Sequence, residues 1–312
     1  MIHTFFVQPN VCRPSELRIP RPVRTRYRVD MYRRLAAGGM AVLFFAASAT
    51  AQQVVFSRRV YAIHGRSFQQ LWIWSPSGRN LEPLTRSARD HERPTCSADG
   101  KQVFFTSGDG RWQLDRNTGI EKPVTATPRA TTAIANEVPR FTVAACDEST
   151  WSRSPDGSRL ACAANGKDIV IVDLRTQQEI ERLPFGQHYS NGEPYPAWPL
   201  KSIWSPGAAQ LLVGTYGENG SSTSPALDYF LLDLATHEWV RAFTGNDAGW
   251  LPDGTAIVFT TPRELVRLPG SSKRVWAAQL AIYDAATRKQ TLLASGVTNN
   301  IQPIVCPSLG LR

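Results

Sequence analysis

The chain has 312 residues, with 35 Lys and Arg against 26 Asp and Glu, a formal charge of +9, and 42% hydrophobic and 10% aromatic residues. That apolar content excludes a disordered chain, and the length admits a full-sized core. The charge would suggest nucleic acid until it is partitioned: residues 1–51 hold eight Arg against Glu16 and Asp30, or +6, leaving +3 on the rest, so neither nucleic acid nor a basic partner surface is expected.

In chain order, Arg13 to Arg28 is rich in Arg and Pro without apolar periodicity, so 1–30 is expected to be a disordered or mis-assigned upstream extension. Arg33-Arg34, the apolar run Leu35 to Ala47 and Ala49-Thr50-Ala51 before Gln52 make 31–51 a cleavable signal peptide, with Met31 as the start. The run falls short of the roughly 20 residues that a bilayer span needs. Residues 52–312 then form one exported domain, periplasmic or secreted, with no membrane span in the mature chain. It keeps Cys96, Cys146, Cys162 and Cys306. Cys146 and Cys162 are the pair closest in sequence, free buried thiols are the alternative, and no Cys/His spacing suits a metal.

From Val54 onward two kinds of corner alternate. The first is Ser97-Ala98-Asp99-Gly100, Ser154-Pro155-Asp156-Gly157, Ser205-Pro206-Gly207, Leu251-Pro252-Asp253-Gly254 and a degenerate Cys306-Pro307-Ser308. Pro presets the dihedral of a type I turn, Asp bonds its own backbone two residues on, and Gly supplies the left-handed position. The second is Ser75-Pro76-Ser77-Gly78, Asp115-Arg116-Asn117-Thr118, Asp173-Leu174-Arg175-Thr176, Asp233-Leu234-Ala235-Thr236 and Asp284-Ala285-Ala286-Thr287. Apolar runs such as Ile169 to Val172 lie between corners and read as strands. A period of roughly 40 to 50 residues with four strands each is the repeat of a β-propeller blade.

With the strands of a blade named A to D, the first kind of corner joins A to B and the second joins C to D. The exported chain therefore opens on strand B at Val54-Val55-Phe56, and Asn300 to Cys306 is the missing strand A. The expected fold is all-β, with four-stranded antiparallel blades, the C-terminal strand joining the N-terminal blade to close the ring. Five blades are preferred; six is the competing count, since Lys122 to Ala145 could hold a degenerate blade.

These corners, in the setting His91-Glu92-Arg93-Pro94-Thr95-Cys96-Ser97-Ala98-Asp99-Gly100-Lys101-Gln102-Val103-Phe104-Phe105, resemble the repeats of TolB-type propellers over nearly all of 54–308. The resemblance implies a periplasmic binding module that docks on an envelope-associated protein. TolB itself carries an amino-terminal mixed domain, for which there is no room between Gln52 and Val54. Peptidase relatives of the same propeller carry a Gly-x-Ser-x-Gly elbow, which this sequence lacks.

Strand alternation puts the A-B and C-D corners on one face and the B-C and D-to-A connections on the other, and every long connection falls on the second face. The first residues of the inner strands, His91-Glu92, Asp147-Glu148, Lys201, Asn246-Asp247 and Asn299-Asn300, are polar and are expected at the channel mouth. Polar strand entries that merely meet solvent are the bland account. The binding surface is assigned to His91, Glu92, Asp147, Glu148, Lys201, Asn246, Asp247 and Asn300, with His188, Tyr189, Tyr195 and Tyr216 in the loops. Trp72, Trp74, Trp204 and Trp250 fall on strands and are assigned to the core.

The partner is expected to be a protein or peptide bound by a monomer, with no cofactor and no catalytic residue assigned. The alternative is a propeller enzyme acting on polysaccharide, a glycosidase using Glu92, Asp147, Glu148 or Asp247, or a lyase using histidines. His64, His91 and His188 map to the loop-rich face, whereas His237 follows a C-D corner on the other.

Overall fold

Each apolar run bounded by the two kinds of corner forms a strand, because short stretches of Val, Ile, Leu and Phe between turn residues bury well on a pleated surface. The computed structural model describes residues 53–61, 66–75, 80–124, 146, 148–165, 167–186, 199–216, 226–293 and 296–306, all within the unit Ala47–Arg312. The extension and signal expected over 1–51 lie outside the described residues.

The chain opens with β1 (Gln53–Val60), β2 (Gln69–Ser75) and β3 (Asn80–Pro83). The second sheet is β4 (Glu92–Cys96), β5 (Gln102–Ser107), β6 (Gly110–Asp115) and β7 (Glu121–Pro123). The third is β8 (Ser152–Arg153), β9 (Arg159–Ala164), β10 (Asp168–Asp173) and β11 (Gln178–Pro184). The fourth is β12 (Pro199–Trp204), β13 (Gln210–Tyr216), β14 (Leu227–Asp233) and β15 (Trp239–Gly245). The fifth is β16 (Ala248–Trp250), β17 (Ala256–Thr260), β20 (Leu280–Asp284) and β21 (Lys289–Leu292), interrupted by a hairpin of β18 (Glu264–Arg267) and β19 (Arg274–Ala277). The last strand, β22 (Thr298–Cys306), returns to β1 with Val54 opposite Val305, Val55 opposite Ile304 and, after a bulge, Ser57 opposite Ile301.

The fold is an all-β propeller with five four-stranded antiparallel sheets among the described residues, and the first contains both ends of the described chain. The stretch 125–145, where a sixth sheet was the competing expectation, lies outside them.

At the Ser154 corner, Gly157 takes φ 73° and donates its N–H to the Ser154 carbonyl at 2.9 Å. The Ser154 hydroxyl donates to Asp156 Oδ1 at 2.6 Å and accepts from Arg159 N at 2.9 Å. The Ser97 corner repeats this set. At Ser205 one expectation is corrected: the left-handed residue is Ala208, at φ 53°, because Gly207 occupies the place that Asp holds elsewhere. In the C-D corners, Asp173 Oδ1 accepts Arg175 N, Thr176 N and Thr176 Oγ1 at 2.9, 2.7 and 3.1 Å. Gln177 then closes the turn at φ 61°, and His237 does so at φ 58° in the Asp233 corner.

Adjacent sheets pack face to face, so the central strands of the third and fourth sheets are almost wholly apolar and buried, while the outermost strand of the fifth meets solvent. Ile169 to Val172 is wholly buried and Lys289 to Leu292 wholly exposed. Phe243 stacks on Phe259 at 3.9 Å between the fourth and fifth sheets. Phe56 meets Val258 between the fifth and first, and Leu71 and Phe105 share a cluster with Cys306 between the first and second. Trp74, Trp204 and Trp250 are buried and Trp72 is partly so, as core residues should be. Trp204 Nε1 donates to Ser152 O at 2.8 Å and Trp250 Nε1 to Ile203 O at 3.3 Å, each fastening an innermost strand to that of the preceding sheet. In the second sheet Cys96 stands at the equivalent place, directly before the corner. Its disulfide to Cys306, with Cα atoms 5.7 Å apart, joins the equivalent pair of innermost strands, β4 and β22, across 210 residues of chain. Cys146 is bonded to Cys162.

Candidate functional site on the loop-rich face

Because the strands of each sheet alternate in direction, the corners emerge at one end, and the B-C and D-to-A connections at the other. Among the expected contact residues, Asp147, His188, Tyr189 and Tyr195 lie outside the described residues. Glu148 opens a short 3-10 turn, Glu148–Thr150, of which only its backbone is described. Lys201 is exposed on β12, and Tyr216 is 49% exposed at the end of β13.

The structure places the remaining strand entries in hydrogen bonds within and between the sheets. His91 is fully buried: its N–H donates to Gln69 O at 2.7 Å, its Nδ1 lies 3.1 Å from the same carbonyl, and its Nε2 lies 3.1 Å from Glu121 Oε2. Phe105 packs against its ring, with centroids 4.7 Å apart. Asn300, at the matching place in β22, is also fully buried, and both its N–H and its Nδ2 donate to Ala278 O, at 3.0 and 2.6 Å. His91 thus stitches the start of an inner strand to the third strand of the preceding sheet, and Asn300 stitches β22 to Ala278, between β19 and β20. Asn246 works within its own sheet, donating N–H to Thr260 O and Nδ2 to Thr261 O, both at 3.0 Å.

Two inner strands bulge just before a proline. Arg93 (φ 52°) precedes Pro94 and Gln302 (φ 54°) precedes Pro303, and in each case the bulge takes an amide off the ladder. Gln302 Oε1 accepts the Arg93 N–H at 2.6 Å, and Asp247 Oδ2 accepts the Gln302 N–H at 3.0 Å. The Arg93 amide is on exposed backbone and the Gln302 amide is half-buried, and each finds its acceptor in a side chain of the preceding sheet, so this relay across three sheets gives Gln302 and Asp247 a structural use for their polar groups. Glu92 contributes its carbonyl, which accepts from Thr106 Oγ1 at 3.2 Å. Tyr229, whose hydroxyl donates to Asn246 O at 3.1 Å, is held above the ordinary phenol pKa by burial and by the neighbouring Asp247 charge.

Sequence reasoning missed the cations of the same face. Arg59, Tyr61, Arg66, Ser67, Asp90 and Lys273 line a cleft of about 380 Å³. Its carboxylate is already committed: Asp90 Oδ1 accepts from Arg59 Nη2 at 2.9 Å and from Gln69 N at 2.6 Å. Tyr61 ties the cleft to the fifth-sheet hairpin by donating its hydroxyl to Trp276 O at 2.6 Å. The neighbouring Arg58 is buried over Trp72, 4.6 Å from the ring, and its Nε and Nη1 have no hydrogen-bond partner among the described residues; burial lowers its pKa. The signal was present in Glu264-Leu265-Val266-Arg267-Leu268-Pro269-Gly270, where alternation runs into a Pro-Gly turn. The long connection from Thr261 to Trp276 holds a hairpin.

Among the described residues no group of three or more His, Cys, Asp or Glu is placed to hold a metal. His237 lies at a corner, its Nε2 2.5 Å from Glu181 Oε1.

The structure is similar to solved TolB propellers. TolB from Acinetobacter baumannii aligns with a TM-score of 0.30 and 17% identity over 78% of this chain and 52% of that one, so the chain spans about half of that protein. A protein described as TolB from Agrobacterium tumefaciens gives 0.42 and 14%, over 82% of this chain and 98% of that one. The tricorn protease gives 0.24 and 12%, over 72% and 24%. No protein-family model matches the chain, and no curated protein does. At these scores the likenesses say nothing of function, and the fold rests on the strand pairing described above.

Proposed function

We propose that this is an exported, periplasmic propeller that binds a protein or peptide through its loop-rich face. The observation that carries the reading is the asymmetry of the two ends: corners of about four residues at one, the extended connections, the cationic cleft and an inserted hairpin at the other. Loops held by a rigid scaffold are where recognition concentrates. The two disulfides suit an oxidising compartment. Asp247, a candidate acid or nucleophile in the enzyme reading, is engaged by a backbone amide, which favours binding.

The test is capture of envelope proteins by the purified, immobilised protein, with mass spectrometric identification. One or a few proteins retained saturably and released by free protein are expected. Retention of none, together with release of reducing or unsaturated sugar from envelope polysaccharide, would overturn the reading in favour of the enzyme.

A further inference from the structure

The hairpin inserted in the fifth sheet pairs Glu264 with Ala277, Leu265 with Trp276, Val266 with Val275 and Arg267 with Arg274. Side chains alternate across it. Val275 and Ala277 are buried on one side, while Leu265 and Trp276 are 47% and 40% exposed on the other, beside exposed Arg267 and Arg274. Two arginines directly opposite one another repel, and such a pair weakens a hairpin. Neither has a carboxylate partner among the described residues; Arg267 Nε donates only to the Ser271 carbonyl, at 2.9 Å. Residues 261–278 hold Arg263, Arg267, Lys273 and Arg274 against Glu264, a net +3, equal to the charge of the whole chain beyond residue 51. Lys273 extends this field into the cleft that contains Arg59 and Arg66.

Two further features narrow the occupant. β18 pairs only with β19 among the described residues, so its other edge presents main-chain N–H and C=O groups to which an extended segment can add. The base of the hairpin is fixed by Thr261 N to Gln279 O at 2.9 Å, Gln279 N to Thr261 Oγ1 at 2.9 Å and the Tyr61–Trp276 bond. A surface held in place in this way loses little freedom on binding. From a like-charge arginine pair beside an apolar pair on an open-edged hairpin, we infer that this surface docks an extended acidic peptide segment of the partner, its carboxylates alternating with apolar side chains. The inference rests on the binding reading above and names the chemistry of what is bound.

The probe is a fluorescein-labelled ten-residue peptide alternating Glu and Val, titrated with the full protein by fluorescence anisotropy, with a Lys/Val peptide as control. Saturable, salt-sensitive binding of the acidic peptide alone is expected, weakened at least ten-fold in Arg267→Ala/Arg274→Ala and in Trp276→Ala. Both variants change exposed residues, and unchanged melting confirms that they fold. No binding of the acidic peptide, equal binding by the variants, or binding only of phosphatidylglycerol vesicles or single-stranded DNA would overturn the inference. If both variants still captured the same envelope proteins as the unaltered chain, the docking surface would be wrong while the binding reading survived. If the unaltered chain captured none, the binding reading itself would fall.

Discussion

Ala208 shows what a single dihedral does in this fold. It sits at φ 53° where Gly157 and Gly254 serve in equivalent corners, and Arg159 Nη2 holds its carbonyl at 2.8 Å. An L-residue pays for the left-handed region and glycine does not. Ala208→Gly is therefore expected to stabilise the protein by about 1 kcal/mol, raising Tm by about 2–4 °C. Gly157→Val should do the opposite, although no atom lies within 4 Å of where a Cβ would stand, because the cost is in the backbone. Calorimetry of both variants checks the pair, and an unchanged Tm in both would contradict the turn assignment. The corners were legible because Pro, Asp and Gly each have a local reason to be there. The shift at Gly207 was not, since composition does not say which of two neighbours takes the unusual dihedral.

The corners also make the fold sensitive to acid. Asp156 is lowered from 3.8 to about 2, chiefly by the Ser154 hydroxyl and then by Ser158. Asp173, Asp233 and Asp284 are lowered first by the backbone N–H of Thr176, Thr236 and Thr287 respectively. A carboxyl group whose folded pKa lies below its unfolded value contributes stability that is complete above the unfolded pKa. That contribution is lost as pH falls through the folded pKa. For Asp156 the window runs from 3.8 down to about 2. Asp156→Asn should melt below the unaltered protein at pH 6, and the two should converge as the pH approaches 2. A gap that stays constant across this range would contradict the account. Strand order was equally legible, because corners of two kinds in strict alternation fix the parity of every connection. The polarity of His91, Asp247 and Asn300 was visible too, but not its purpose: sequence does not show which carbonyl or bulged amide lies across the next sheet.

At the scale of the whole molecule, long-range facts were the least legible. Summed charge hid the cationic hairpin, because +3 spread over some 260 residues and +3 within 261–278 give the same total. Spacing pointed to Cys146 with Cys162 and was silent on Cys96 with Cys306, whose union requires the last strand, β22, to lie beside the first strand of the second sheet. That union bears on everything else, since β22 beside β1 sets which connections share a face. Cross-linking so long a loop is worth about 2–5 kcal/mol. Proteolysis of the unreduced protein followed by mass spectrometry tests it most directly. The account predicts one linked peptide containing Cys96 and Cys306 and another containing Cys146 and Cys162, each resolving into its halves on reduction. A link between Cys96 and Cys146, or Cys306 recovered as a free thiol from the native protein, would contradict it and take the assignment of the loop-rich face with it.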